Sequence, residues 1–404
     1  MKRRLCLIAA LALSACVTGP VATPSAPSLS GFGDAIHHWQ NRNGKAYARH
    51  ADDDVTAIAD NLLLLQRDNG GWIENRDPAR ILTPEEKATV LKEKSDPAFS
   101  FDNRNIYTQV DYLMAVYERT QKAAYRDAAL RGLDLILSQQ IKTCGGWPHS
   151  VPAKSSFHDK ITMADEVTSG NLHLLRRIST GEYPFDSVNK YLRKQAASAV
   201  AAGDACLLRL QIRQNGQLTG WAGQYDPVTL QPVKGRSFEL VSIVSQESVE
   251  NTRYLMSIPN PSPEVIAAVD GAVAWMKRSA IRGKRLETFA LPAPVKYDYH
   301  TATIDNRLVD DPSAPPLWAR FYDIIDNSVI LANRDGVRVA TYADIHPERR
   351  SGYGWYGQWP KELITELYPM WSKCHCRIET IPLTPEQKKT LEKIAKDMKS
   401  RNPN

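Results

Sequence analysis

Residues 66–72 of the sequence read Gln-Arg-Asp-Asn-Gly-Gly-Trp, and they follow a stretch whose apolar residues recur at helical spacing. The same order, a helical stretch that ends in glutamine and runs into a Gly-Trp turn, returns from Gln140 to Trp147 and from Gln214 to Trp221. A helix-pair repeat of this length buries its apolar faces best by closing into a ring. The repeat therefore predicts an all-α fold, an α/α toroid of the (α/α)3-barrel type, with the functional site in its central groove.

Helical periodicity is the main pattern in the rest of the chain. Apolar residues recur every three to four positions over 55–65, 106–117 and 265–276. Thr83-Pro84-Glu85-Glu86 has the order of an N-cap, an N1 proline and a capping-box partner, and Ser262-Pro263 begins in the same way. Residues 285–360 are instead rich in Pro, Tyr, Trp and Arg without clean periodicity, which predicts a long loop-rich segment that lines a site or wraps the core.

The N-terminus has the pattern of an export signal. Three basic residues precede a short apolar run that ends in Leu13-Ser14-Ala15-Cys16, which is typical of a lipoprotein signal peptide with its lipobox cysteine. We therefore expect a signal peptide over 1–16, acylation of Cys16, a flexible tether over 17–35, a catalytic domain over 36–380, and a C-terminal helix and tail over 381–404. An ordinary signal peptide cleaved slightly later is the alternative. The predicted location is a membrane-anchored lipoprotein of the outer membrane or periplasm, and we expect a monomer.

Charge and cysteine content exclude some functions. The formal net charge of +6 falls to about +3 once the basic residues of the signal are removed, which suits a polyanionic ligand. No basic run is interleaved with aromatic residues, so nucleic-acid binding is not expected. Serine-hydrolase, P-loop and dinucleotide fingerprints are absent from the sequence. Four cysteines remain outside the signal, Cys144, Cys206, Cys374 and Cys376, and an oxidising compartment would let them pair; zinc-site spacing is lacking.

Several arginines lie in aromatic and acidic surroundings that suit carboxylate ligands. They are Arg236, Arg307 and Arg320. A guanidinium grips a carboxylate through two hydrogen bonds, while aromatic rings pack on the apolar faces of sugars; each arginine also fits an ordinary structural salt bridge. The acidic candidates are Asp102, Asp165 and Glu166, near predicted helix starts, where a carboxylate is either a cap or a hard-oxygen ligand for Ca²⁺.

The order of these motifs resembles the pectate lyases of polysaccharide lyase family ten. The resemblance spans about residues 53–372 and is most specific in Trp318-Ala319-Arg320-Phe321-Tyr322. It also includes Asn69-Gly70-Gly71-Trp72, Asp102-Asn103, Gly145-Gly146-Trp147-Pro148 and Arg236-Ser237-Phe238-Glu239. The resemblance implies a calcium-dependent enzyme that cleaves polygalacturonate, an acidic polysaccharide, by β-elimination.

The resemblance also implies roles for individual residues. Arg236 would be the catalytic base. The other roles are metal binding by Asp102, Asp165 and Glu166, and substrate binding by Arg307, Arg320, Asn103 and Trp72. Since a guanidinium normally stays protonated well above neutral pH, the base role follows from the resemblance alone and not from the chemistry of arginine.

Two other functions fit parts of the sequence. A non-catalytic surface lipoprotein would use the same arginines to hold an acidic polysaccharide, and the residues after Asp102, which differ from the usual family pattern, favour that interpretation. A terpenoid-cyclase-like toroid would fit the repeats, but no aspartate-rich diphosphate site accompanies them. An ultraviolet-absorbing unsaturated product distinguishes the lyase from the binding protein.

Overall fold

A computed structural model describes residues 27–374 of the chain. The signal peptide with Cys16, residues 17–26 of the predicted tether and the predicted C-terminal helix over 381–404 lie outside these residues. Of the two compact units into which the chain divides, the first contains residues 27–368. The core and the candidate site belong to the first unit. Over 27–374, no helix is both long and apolar enough to cross a membrane.

Helices are the main regular structure of the described chain, and their starts follow the local sequence. Thr83 Oγ1 accepts a hydrogen bond from the Glu86 amide at 3.2 Å while the Glu86 carboxylate accepts one from the Thr83 amide at 2.8 Å, so the predicted capping box forms. Ser262 caps its helix as predicted. The α-helices are α1 Gly33–Asn43, α2 Val55–Leu65, α3 Pro84–Glu93, α4 Tyr107–Thr120, α5 Ala123–Ser138, α6 Val167–Thr180, α7 Lys190–Leu210, α8 Ser245–Met256, α9 Pro263–Arg278, α10 Pro347–Gly352, α11 Pro360–Glu362 and α12 Tyr368–Cys374. Short 3-10 helices cover Leu29–Phe32, Ala164–Glu166 and Tyr342–Asp344, and a π-helix covers Leu363–Leu367.

The Gly-Trp turns are equivalent in three dimensions. The indole nitrogen of each buried tryptophan donates to a carbonyl in the helix before its turn: Trp72 to Leu62 at 2.9 Å, Trp147 to Ile136 at 2.7 Å and Trp221 to Leu207 at 2.8 Å. Trp318, which the sequence pattern did not include, bonds in the same way to Met276 of α9 at 2.7 Å. Each bond satisfies a carbonyl near a helix C-terminus and fixes where the chain leaves the helix.

A glutamine side chain links each of the first three turns to a later helix. Gln66 donates to Gly70 O in its own turn and to Ala128 O in α5. Gln140 donates to Gly145 O and to Ala199 O in α7. In the third turn the residue that does this is Gln211, which donates to Thr219 O and Ala268 O, so the choice of Gln214 as the repeat position was wrong. The glutamines thus satisfy buried carbonyls while they tie successive repeats together.

The disulfide Cys144–Cys206 connects the second turn to α7. It confirms that two of the four cysteines expected to pair do so. Helices α4 and α5 pack on each other, as do α6 and α7, and α8 packs against both α6 and α9. These six helices supply nearly half of the buried apolar side chains of residues 27–374.

The prediction of an all-α toroid is wrong, because the chain mixes helix with strand. The strands are β1 Phe99–Ser100, β2 Ser150–Val151, β3 Ile161–Thr162, β4 Arg213–Gln214, β5 Gln217–Leu218, β6 Gln224–Tyr225, β7 Pro232–Val233, β8 Ile243–Val244, β9 Lys284–Lys296, β10 Thr301–Asp310, β11 Trp318–Ala319, β12 Phe321–Tyr322, β13 Leu331–Ala332, β14 Arg338–Val339 and β15 Tyr356–Gly357. All pair in antiparallel fashion: β1 with β2, β3 with β6, β6 with β7, β4 with β5, β8 with β12, β9 with β10, β11 with β15, and β13 with β14.

The longest strands, β9 and β10, form a hairpin inside the segment predicted to be loop-rich. Two features hide this hairpin from a search for alternating apolar residues. Most side chains of β9 are exposed or half-buried on both faces, so burial does not select a period of two. Pro292 and Pro294 lie within β9, and prolines are tolerated there because β9 is an edge strand. The pairing register also shifts between Ala302 and Ile304.

Candidate active site

Two loops with unusual backbone conformations carry the predicted acidic ligands. Asn103 and Arg104, which follow Asp102, have φ values of 52° and 63°. Asp165 and Glu166, just before α6, have φ values of 52° and 59°. Left-handed conformations at consecutive residues other than glycine are costly and persist where surrounding contacts enforce them, often at functional sites. These loops are therefore candidates on backbone geometry as well as on chemistry.

The carboxyl groups of Asp102 and Asp165 lie close enough to affect each other's ionisation. Burial raises the pKa of Asp165 well above its usual range, and the charges of Asp102 and Glu247 add to the effect. Burial also opposes ionisation of Asp102, but His149, whose Nε2 lies 3.3 Å from Oδ1, helps to outweigh it and lower the pKa of Asp102. Asn103 Nδ2 donates to Oδ2 of Asp102 at 3.2 Å. Of the two carboxyl groups, Asp165 therefore holds its proton the more tightly.

Glu247 of α8, whose charge contributes to the raised pKa of Asp165, forms an ion pair with Arg320. Arg320 Nη2 lies 3.3 Å from Glu247 Oε1, while Glu247 Oε2 is buried without a hydrogen-bond partner among the described residues. Burial raises the pKa of Glu247 even though Arg320 pulls it down. The guanidinium of Arg320 also stacks over the rings of Tyr353 and Trp359, at 5.1 and 5.8 Å from their centroids. This arrangement holds a rigid cation beside an incompletely satisfied acidic cluster.

Arg236 is fixed by an acid and two rings. Its Nη2 donates to Glu239 Oε1 at 2.5 Å, and its guanidinium lies 5.1 Å from the Phe238 ring and 5.2 Å from the Tyr353 ring. Tyr353 Oη donates to the same Glu239 oxygen at 2.7 Å. Burial works against the charge of Arg236, but Glu239 and its other acidic neighbours outweigh burial and raise the pKa of the guanidinium. Half of the side chain remains exposed, with a relative accessibility of 50%, so a ligand can reach it.

Four of the predicted residues influence one another through their charges: Asp102, Asp165, Arg236 and Arg320. The charge of Arg236 lowers the pKa of Asp102, and the charge of Arg320 lowers that of Asp165. The charge of Asp165 in turn raises the pKa of both arginines. Two carboxyl groups and two guanidinium groups thus lie close enough to affect one another's ionisation, and this composition suits a divalent cation together with an anionic ligand.

Three other predicted residues have different surroundings. Arg307 lies on β10, where it donates to Glu287 of β9 at 2.5 Å, and no contact joins it to the acidic group within residues 27–374. Trp72 is 2% exposed and belongs to the core, so its ring cannot stack on a sugar. The Glu166 carboxylate is held by Arg104 at 2.5 Å, away from the pairing between the two aspartates. Asn103, by contrast, contacts Asp102 directly.

The sequence reasoning missed several residues of the site. Glu247 gave no signal, because one glutamate in a polar helix resembles a surface charge. Glu239 and Tyr353 lie within segments that the family resemblance included, but their contact with each other and with Arg236 depends on a fold that brings residues 239 and 353 together. His149 follows the second Gly-Trp turn and could have been noticed as a polar residue next to a repeat motif.

Comparison with known proteins gives the family. A model of the pectic acid lyase family matches residues 66–364. The chain belongs to the pectic acid lyase family. A search of curated proteins found no match.

Two solved structures resemble this pectic acid lyase over most of its length. The family 10 polysaccharide lyase from Cellvibrio cellulosa is 26% identical, with a TM-score of 0.68, and the match covers 87% of this chain and 100% of that one. A mutant of that lyase in complex with trigalacturonic acid is 27% identical, with a TM-score of 0.67, and the match covers 83% of this chain and 97% of that one. The expected relationship to family ten is confirmed, and the chain is a polysaccharide lyase.

Proposed function

We propose that this lyase cleaves polygalacturonate by calcium-dependent β-elimination. The observation that carries the proposal is the convergence of Arg236 and Arg320 on the paired carboxyl groups of Asp102 and Asp165. Arginines recognise the carboxylates of a polyuronate, and the acidic pair offers hard oxygen ligands. The trigalacturonic acid complex of the Cellvibrio relative supports an acidic polysaccharide as the substrate.

The acidic residues fit a calcium ion that is shared with substrate. Within residues 27–374, no three His, Cys, Asp or Glu side chains are arranged to hold a metal by themselves. Asp102 and Asp165 would therefore supply the protein ligands, and substrate oxygens would complete the coordination. The raised pKa of Asp165 supports this assignment, because a cation would offset the burial and the carboxylate repulsion that raise it. Glu166, paired with Arg104, is not needed in such a site.

Individual residues of this chain then have different roles in the β-elimination. Arg320 binds the uronate carboxylate, and a neutral Arg236 takes the proton from C5 while the C4–O4 bond breaks and a double bond forms between C4 and C5. The leaving oxygen takes up a proton from solvent, and the protonated Arg236 later returns its proton to solvent. Bound calcium would withdraw charge from the uronate carboxylate and so make the C5 proton more acidic. The base role needs a neutral guanidine, which Glu239 opposes in the free protein; this role is carried over from the family resemblance.

The test is an activity assay of the mature chain with polygalacturonate and calcium, followed by ultraviolet absorbance of the unsaturated product. We expect chelator-sensitive activity that falls about a thousandfold or more in Arg236→Ala. The matched control is Arg126→Ala, which removes a half-exposed arginine that also pairs with a neighbouring acid but lies on the surface of α5. Binding of the polymer without any product would instead establish the alternative, a polysaccharide-binding lipoprotein.

We also propose that the lyase is exported and anchored as a monomer through acylated Cys16. The support is the lipobox pattern in the sequence, and residues 1–26 lie outside the described structure. Mass spectrometry of the mature N-terminus, with Cys16→Ser as the control, would test the anchor. An unmodified N-terminus beyond residue 16 would rule it out.

A further inference from the structure

A cavity of about 460 Å³ lies apart from the acidic group, at the turn of the β9–β10 hairpin. The hairpin supplies Lys296, Tyr297 and Tyr299 to its lining, and two later segments supply Arg334 and Glu348 among others. A volume of this size is within the range of small-molecule sites, about 300–1,000 Å³. No residue proposed for catalysis lines it.

The aromatic side chains of this cavity are held in place but remain accessible. The guanidinium of Arg334 lies 3.8 Å from the centroid of the Tyr299 ring, and Tyr299 is still 70% exposed. Tyr297 packs against His300 and His346. Rings fixed in this way present large contact surfaces with little loss of side-chain freedom on binding, and their faces suit the apolar faces of a pyranose.

The polar groups complement the rings. Arg334 uses Nε and Nη2 to bind Glu348, at 3.0 and 2.9 Å, which leaves its Nη1 without a hydrogen bond among the described residues. Lys296 likewise has no ion pair within residues 27–374. Asp298 and Asp335 also line the cavity and balance these cations, so binding here would depend on stacking and hydrogen bonds more than on net charge.

A continuous stack connects the cavity to the candidate active site. Phe238 lies between Arg236, whose guanidinium is 5.1 Å from its ring, and Arg334, at 5.5 Å. Tyr299 covers Arg334 in turn. Guanidinium groups and rings therefore alternate from the proposed base, Arg236, to the cavity.

We propose that this cavity is a further subsite, which binds a uronate unit of the same polysaccharide chain at a distance from the bond that is cleaved. The proposal rests on the proposed function for its ligand. Binding of a remote unit adds affinity for long chains without changing the chemistry at Arg236. Tyr299 therefore determines preference for chain length.

The experiment compares Tyr299→Ala with the wild-type full-length mature protein on galacturonate oligomers from three to eight units. We expect kcat/KM for the octamer to fall about three- to tenfold through a higher KM, while kcat and the trimer values stay unchanged. Tyr299→Phe, which keeps the ring, should behave as wild type. Tyr191→Ala is the matched control, because Tyr191 is also 70% exposed and lines a cavity of about 470 Å³ elsewhere on the surface.

Two results would overturn the subsite: equal kinetics of Tyr299→Ala and wild type at every length, or an equal loss at every length, including the trimer. Calorimetric binding of the octamer separates this proposal from the lyase assignment. If wild type forms no product but Tyr299→Ala binds the octamer more weakly than Tyr191→Ala does, the subsite stands and the proposed function fails.

Discussion

Replacing Asp165 with asparagine should stabilise the calcium-free protein at neutral pH and remove its response to calcium. The amide keeps the shape of the side chain and can still donate a hydrogen bond to Asp102. It removes a charge that burial, Asp102 and Glu247 all disfavour. A substitution that removes an unfavourable buried charge at a functional site typically adds about 0.5–2 kcal/mol to the free energy of unfolding.

The pH dependence of this gain follows from the raised pKa of Asp165. The folded protein keeps a proton that the unfolded chain releases above the ordinary value of 3.8, so stability falls as pH rises from that value toward the pKa in the folded state. The asparagine side chain does not titrate and has no such dependence. The advantage of Asp165→Asn should therefore be near zero in acid and full at neutral pH. Calcium, at about one hundred times its Kd, should add about 2.7 kcal/mol to wild type and nothing to the variant.

Urea unfolding at acidic and neutral pH, with chelator and with calcium, measures all of these free energies. Asp134→Asn is the control, because partial desolvation raises the pKa of this exposed carboxyl without a neighbouring carboxylate, and it should keep the calcium response. The reasoning is refuted if Asp165→Asn is destabilised by the same amount at both pH values in chelator, since the carboxyl would then be contributing a favourable contact.

Three further changes test other parts of the structure. Glu239→Gln removes the carboxylate that raises the pKa of Arg236, so the rising limb of the pH–rate profile should move to lower pH; an unmoved limb would show that Arg236 is not the titrating base. Arg320→Lys keeps the charge but loses the planar fork and stacking, and should lower kcat/KM about 10- to 100-fold for a uronate; no loss would exclude carboxylate binding by Arg320. Replacing Cys144 and Cys206 together by alanine should cost about 4 kcal/mol in urea unfolding, given the 62-residue separation, whereas a loss below about 1 kcal/mol would contradict the loop-entropy argument.

The sequence predicted local features of the helices well. Capping at Thr83 and Ser262 depends on residues within one turn, and the Gly-Trp turns depend on helix ends that recur. The third glutamine of the repeat was misplaced by three positions because Gln211 and Gln214 both precede Trp221, and only the carbonyl of Ala268 on a distant helix selects between them.

The strands were missed for a different reason. Most are two residues long and exist only because a partner from elsewhere in the chain pairs with them, as Phe321 and Tyr322 do with residues 243 and 244. Such pairs leave no period in the sequence. The hairpin is long enough to show one, but its exposure on both faces and its two prolines erase the alternation.

The raised pKa values of Asp165 and Arg236 both oppose the roles proposed for these residues. The charges of the candidate site explain how the two residues can still belong to one mechanism. In the free protein the pKa of Asp165 is raised although a metal ligand must be ionised, and the pKa of Arg236 is raised although a base must be neutral. A divalent cation beside Asp102 and Asp165 would favour ionisation of the first group, and its positive charge would also disfavour the charged form of the second. Both pKa values would thus move in the direction that catalysis needs. An occupied cation site would therefore favour both the metal-binding form of Asp165 and the basic form of Arg236.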